Sequence, residues 1–175
     1  YDSFFLPNTR FNNEEAYIYI PSNADFSEVK ARLEPLLDDL EAFEAVAKRK
    51  QYINRVKPGK YVLRNGMNNN EIINALRIGN IPVKVSFNNQ ESLPLLAGRI
   101  ASQIEADSLS LLKAMSDGSF LEEKGLDTDA ALGMYLPNSY ELYWNTRAEE
   151  FRDRMFKEYQ RFWNDERKQK AGEIG

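Results

Sequence analysis

Pro82-Val83-Lys84-Val85-Ser86-Phe87 alternates apolar and polar side chains, and helical spacing takes over directly after it, with Leu93, Leu96 and Ile100 as its apolar positions. The alternation has the two-residue period of a half-buried strand, and the later spacing is that of an amphipathic helix. The same grammar occurs near the start of the chain. Tyr17-Ile18-Tyr19-Ile20 is aromatic and β-branched, Pro21 ends it, and Phe26, Val29 and Leu33 follow on one helical face. Counted from Ile20 and from Phe87, these apolar positions fall at identical offsets, and Ile18 and Val85 match two residues before each anchor. The pattern predicts an α+β chain of two successive small units of short strands and helices, with a strand–loop–helix opening repeated in each. The boundary falls near Asn80, dividing the chain into 1–81 and 82–175.

Between the two openings, a helix is expected from Ser22 to Leu33, broken by Pro35. A second helical stretch follows with Leu40, Phe43, Val46 and Ala47 as its stripe. Pro58-Gly59 marks a turn before a short strand, Lys60-Tyr61-Val62-Leu63, and Asn65-Gly66 marks another. A helix over Asn69–Ile78 is signalled by Asn68 at the N-cap with Glu71 placed to reach back, and Gly79 is expected to close it in a left-handed conformation. Residues 1–14 show no period and lead into the first strand. Short helices fill Ser108 to Leu126, punctuated by Gly118 and Gly125. Thr146 and Glu149 then form a capping box for a last helix whose stripe is Phe151, Met155, Tyr159, Phe162 and Trp163, read as core.

Composition narrows the chemistry. The 175 residues are 42% hydrophobic and 29% charged, with 23 basic and 27 acidic side chains and a net charge of −4. No basic cluster or stripe interrupts this balance, so nucleic acid is not an expected partner. Cysteine and histidine are both absent. That removes disulfides, thiol nucleophiles, histidine-based triads and histidine metal sites, and no metal or cofactor is expected. Acid–base work would fall to carboxylates. No apolar run reaches the ~20 residues that span a bilayer. The chain opens at Tyr1 without an initiating Met, as a processed fragment does, so a signal or anchor upstream is compatible with it.

One segment concentrates recognition chemistry: Leu132-Gly133-Met134-Tyr135-Leu136-Pro137-Asn138-Ser139-Tyr140-Glu141-Leu142-Tyr143-Trp144-Asn145. Aromatic faces stack on sugar rings, and Asn, Ser and Tyr bond to hydroxyl and N-acetyl groups. A carboxyl buried beside aromatics can act as an acid. Candidate substrate contacts are Tyr135, Asn138, Ser139, Tyr140, Tyr143 and Trp144, with Glu141 as the candidate acid. A Pro-containing turn packed by its own aromatics is the competing reading. Glu141 could equally be a solvated residue or pair with Arg147, while Glu122, Glu123 and Asp129 lie in segments that read as exposed.

This segment resembles the central motif of the YceG-like (MltG) family of endolytic murein transglycosylases, Glu-Gly-Tyr-Leu-Phe-Pro-Asp-Thr-Tyr. The family's earlier Gly-x-Tyr strand, helix and Leu-x-x-Gly are matched by Gly59-Lys60-Tyr61, then Glu71, Ile72, Leu76 and Gly79, and its opening strand by Tyr17 to Ser22. The resemblance runs from about residue 16 onward. It implies a LysM-like first unit and a catalytic-type second unit that stops short of the family's C-terminal segment. It also implies an enzyme at the periplasmic face of the inner membrane, anchored by an N-terminal segment outside this chain. Its partners would be peptidoglycan glycan strands and the cell-wall synthesis and division machinery. Such enzymes cleave between N-acetylmuramic acid and N-acetylglucosamine and close a 1,6-anhydro ring, using one carboxylic acid. The family's acid is the first residue of the motif, where this chain has Leu132; the nearest following carboxylate is Glu141. A non-catalytic peptidoglycan-binding module is the alternative. An older family label, aminodeoxychorismate lyase, implies pyridoxal phosphate, for which no Gly-rich phosphate cradle opens a helix here.

Overall fold

The computed structural model describes residues 5–174, the side chains of 168 and 171–174 excepted. Among the described residues four strands and eight α-helices follow in the order β1 (Glu15–Ile20), α1 (Phe26–Leu33), α2 (Leu40–Arg49), β2 (Gly59–Arg64), α3 (Asn69–Ile78), β3 (Pro82–Phe87), α4 (Leu93–Ala101), α5 (Ser108–Met115), α6 (Gly118–Glu123), α7 (Thr128–Gly133), β4 (Asn138–Tyr143) and α8 (Ala148–Ile174), with a 3₁₀ turn at Glu34–Leu36. The chain is α+β, with two two-stranded sheets, β1 with β2 and β3 with β4. It divides into two compact units. The first runs to Val83 and takes in Tyr143–Asn145; the second holds Lys84–Leu142 and the residues from Thr146 onward.

In the first unit β1 and β2 are antiparallel, with Glu15 opposite Arg64, Tyr17 opposite Val62 and Tyr19 opposite Lys60. Alternation sends Ile18, Ile20, Tyr61 and Leu63 inward, where they meet Phe26, Val29 and Leu33 of α1, Phe43, Val46 and Ala47 of α2, and Ile72, Ile73 and Leu76 of α3. The apolar stripes read from the sequence are thus the core. Helix α1 starts at Phe26 rather than Ser22 because Asp25 caps it, accepting the Glu28 N–H at 3.0 Å. The Asn68–Glu71 capping box is complete in both directions.

Gly79 differs from expectation. Its φ is −93°, not left-handed, and its N–H bonds to Ala75 O at 2.8 Å. A Cβ there would overlap that carbonyl, so glycine serves close approach rather than backbone handedness. Gly59 does take a positive φ, +147°, and a Cβ on it would run into the Asn80 carboxamide. That carboxamide accepts the Lys60 N–H at 3.1 Å and donates to Asn145 Oδ1 at 3.1 Å. Gly59→Ala is therefore expected to destabilise the first unit by about 1–3 kcal/mol through backbone strain, measured as a lowered urea midpoint with unchanged slope.

The segment before β1 is held by backbone bridges of Pro7 to Asn68 and Thr9 to Leu37 and by one buried amide. Asn8, 4% exposed, donates to Asp39 O at 2.8 Å and to Asn69 Oδ1 at 2.6 Å, and accepts the Asp39 N–H at 2.7 Å. Asn8→Ala leaves these buried groups short of partners, which is expected to cost about 2–3 kcal/mol. Hydrogen exchange should then rise at the start of α2, around Asp39, and the prediction fails if protection there is unchanged.

In the second unit β3 sends Val85 and Phe87 inward, and α4 buries Leu96, Ala97 and Ile100. Gln103 fastens the strand to the chain after α4, its amide bonding both the N–H and the C=O of Ser86 at 2.9 Å. Helix α8 buries Phe151 and Met155 completely, but the stripe leaves the core further along: Phe162 is 49% and Trp163 41% exposed. Its apolar face outruns the elements that could cover it, so the core reading holds only for its beginning.

Candidate functional site

The segment after Pro137 is a strand, β4, where the sequence suggested a turn. Strand alternation decides the direction of each candidate side chain. Tyr140 and Leu142 point into the second unit, and the Tyr140 ring stacks on Phe87 at 5.8 Å while its hydroxyl donates to Leu136 O at 2.6 Å. Ser139 and Glu141 point to solvent on the other face, where the Ser139 and Ser86 hydroxyls bond at 2.8 Å. Of the two tyrosines that bracket Glu141 in sequence, Tyr140 faces the opposite side and Tyr143 shares its exposed face, and among the described residues the Glu141 carboxylate makes no hydrogen bond or ion pair. The pairing with Arg147 is not formed either, since Arg147 meets Glu150 at 3.3 Å.

Tyr135 is buried, with its ring stacked on Phe151 at 6.0 Å and 10°. Burial pushes the hydroxyls of Tyr135 and Tyr140 up from the ordinary tyrosine range, so both stay protonated, and of the two Tyr140 donates a hydrogen bond. Arg152 and Glu158, on α8, lie near enough to modulate Tyr135 and Tyr140 respectively. Tyr143 and Trp144 fall in the first unit, so the seven candidate residues are divided between the two units.

Two concavities of the second unit flank Leu136-Pro137. One, of about 390 Å³, has Leu132, Gly133 and Tyr135 on one side and the loop Asn88-Asn89-Gln90 on the other, with Asp129 as a carboxylate in its wall. The other, of about 410 Å³, is lined by Asn138, Tyr140, Glu158, Arg161, Phe162 and Asp165. In it Glu158 is clamped by Arg154 at 3.0 Å and Arg161 at 3.4 Å, which commits that carboxylate to ion pairing.

The first cleft is the better built for a neutral polar ligand. Three consecutive carboxamides supply both donors and acceptors, and apolar Leu96, Leu132 and Phe87 supply contact area. Leu132 and Asp129 stand one helical turn apart on α7, both in the wall of this cleft. The Asn88–Gln90 loop lies outside the segment that the sequence singles out. Its signal was available: three amides between the end of a strand and the Ser92 N-cap, in the kind of connecting segment that commonly carries binding groups. Among the described residues no group of three or more Asp, Glu, His or Cys could hold a metal ion, and no helix is long and apolar enough to cross a membrane.

Comparison with known proteins gives one family. The model of the YceG-like family matches residues 18–175. No curated protein matches the chain. Among solved structures, a YceG-like protein from Listeria monocytogenes is similar at 22% identity with a TM-score of 0.43, over 91% of this chain and 60% of the Listeria chain.

Proposed function

The chain belongs to the YceG-like family, and from that premise we propose that it is a lytic transglycosylase acting on the glycan strands of peptidoglycan. The reading is supported above all by the amide-lined cleft beside Leu132–Pro137, whose mixture of carboxamides and apolar walls suits N-acetylated sugar rings. The bond cut is the one between N-acetylmuramic acid and N-acetylglucosamine. A carboxylic acid gives its proton to the glycosidic oxygen as the C1–O bond breaks, and the C6 hydroxyl of the muramyl ring attacks C1. The resulting carboxylate takes the C6 hydroxyl proton, so one residue serves both transfers and no water enters. We assign that role to Glu141, the nearest carboxylate following the motif position that Leu132 holds, whose side chain makes no hydrogen bond or ion pair among the described residues. Asn138, Ser139 and the loop 88–90 would position the strand.

The work would take place at the periplasmic face of the inner membrane, through an anchor outside this chain, alongside cell-wall synthesis and division proteins. The test is incubation of purified peptidoglycan with the protein, followed by mass spectrometry of the released fragments. Fragments with 1,6-anhydro ends are expected. Fragments with ordinary reducing ends would mean hydrolysis and reject the mechanism.

A second reading has a specific observation behind it. Leu132 stands in the cleft wall where the family motif has its Glu, and a leucine transfers no proton. On that reading the protein holds glycan without cutting it. Co-sedimentation with peptidoglycan, accompanied by no fragments of either kind, is the outcome that would select it.

A further inference from the structure

The outer face of the β1–β2 sheet in the first unit carries aromatic groups where a two-stranded sheet ordinarily shows polar ones. Tyr17 is 52% and Tyr19 37% exposed, on the face opposite the core. Trp144 lies edge-on against Tyr19 at 5.1 Å. Lys60, opposite Tyr19 in the register, holds its ammonium 4.7 Å from the Tyr17 ring centre and 5.8 Å from that of Tyr19. Among the described residues no carboxylate lies within ion-pairing distance of Lys60. On a chain with net charge −4, this is a cation bedded in aromatic rings and left without an anionic partner.

Exposed aromatic clusters of this kind mark binding surfaces, and the Lys60 charge states what the ligand should carry. We infer that the face formed by Tyr17, Tyr19, Lys60 and Trp144 is a second glycan contact, with the rings stacking on sugars and Lys60 meeting a carboxylate borne by the strand. The inference rests on the reading above, because among glycan strands it is the muramyl rings, with their lactyl or peptide carboxyls, that supply such anions. The Tyr17 hydroxyl donates to Glu15 Oε2 at 3.0 Å, a bond that orients the ring on the strand surface. A cation held over two rings is pre-positioned, so less side-chain freedom is lost on binding. The contribution should be electrostatic in part and should weaken with salt.

The experiment measures binding of the whole protein to two soluble probes, muropeptide-bearing glycan strands and chitohexaose, the latter lacking every carboxylate. Three proteins are compared: wild type, Lys60→Met, which keeps the apolar stem, and Tyr19→Ser. Lys60→Met is expected to weaken the muramyl strands about 3-fold at low salt and chitohexaose not at all. Tyr19→Ser is expected to weaken both probes about fivefold. Circular dichroism and the urea midpoint, unchanged in Lys60→Met, separate a binding loss from misfolding. If the wild type binds strands and both variants bind equally well, the inference is wrong while the function proposed above stands. Equal losses on both probes in Lys60→Met also overturn it, since the carboxylate would then play no part. No binding of either probe by the wild type overturns both readings. A dimer that dissociates in Tyr19→Ser, with glycan binding intact, would give this face to a second copy of the chain and refute a glycan role.

Discussion

Glu141→Gln is expected to slow the release of 1,6-anhydro ends by about 10³-fold, in the middle of the range for general acid–base catalysis. The size follows from the double duty of the group. In the proposed reaction one carboxyl both donates the proton to the leaving oxygen and takes it back from the C6 hydroxyl, so an amide at this position removes both transfers. Because Glu141 is exposed and makes no side-chain hydrogen bond or ion pair among the described residues, the isosteric change should leave stability within about 0.5 kcal/mol. Loss of activity would therefore not be loss of fold, and the urea midpoint provides the control. Asp129→Asn is the informative companion, since Asp129 is the carboxylate in the wall of the amide-lined cleft. An unaffected Glu141→Gln together with an inactive Asp129→Asn would transfer the acid to α7. Full activity in both would take it out of this pair altogether.

The second large effect concerns stability. Phe151 is completely buried and its ring stacks on Tyr135, the residue that joins α8 to the wall of the cleft. Phe151→Ala should destabilise the second unit by about 3–5 kcal/mol, from lost transfer free energy and the cavity left behind. That is a large share of what a unit of this size possesses. Phe162, eleven residues further along α8 and 49% exposed, offers the contrast: Phe162→Ala should cost less than about 0.5 kcal/mol. Urea titrations of the two variants read the difference directly. Similar losses for both would mean that the far half of α8 is covered by a contact of its own.

The two phenylalanines also show how far sequence periodicity reaches. The stripe Phe151, Met155, Tyr159, Phe162 and Trp163 has one helical spacing throughout, and nothing local distinguishes its first members from its last. Only the neighbours packed against α8 do so. Among them, Ala114 accepts from Arg152 at 3.2 Å and Phe120 lies under that guanidinium at 4.2 Å, both near the helix start. Glycine gives a parallel lesson. Pro58-Gly59 and Gly79 were both legible as punctuation, yet the left-handed expectation at Gly79 was wrong, because close approach to Ala75 O explains that glycine without any positive φ.

The chemistry-bearing segment was visible as a composition, and the family motif gave it an order. Its geometry was not visible. A run of Tyr, Asn, Ser and Glu can be a turn or a strand, and the outcome depends on whether a partner strand is present. Here β3, some fifty residues earlier, supplies it. Once β4 forms, its two-residue period separates Tyr140 from Glu141 onto opposite faces, which leaves Glu141 exposed with Tyr143 rather than buried between two tyrosines as adjacency in sequence had suggested.

What this sequence determined by itself was everything written within about ten residues: the apolar stripes of α1, α2 and α4, the cap at Asn68, the strands β1 and β3, and through them the α+β class. Hydrophobic period and capping chemistry act locally, so they can be read locally. The tertiary structure alone decided which side chains share a cleft, which aromatic face lies open and where Trp144 belongs. Those outcomes turn on which element packs against which, a question of contacts between residues far apart in the chain, and no local pattern encodes them.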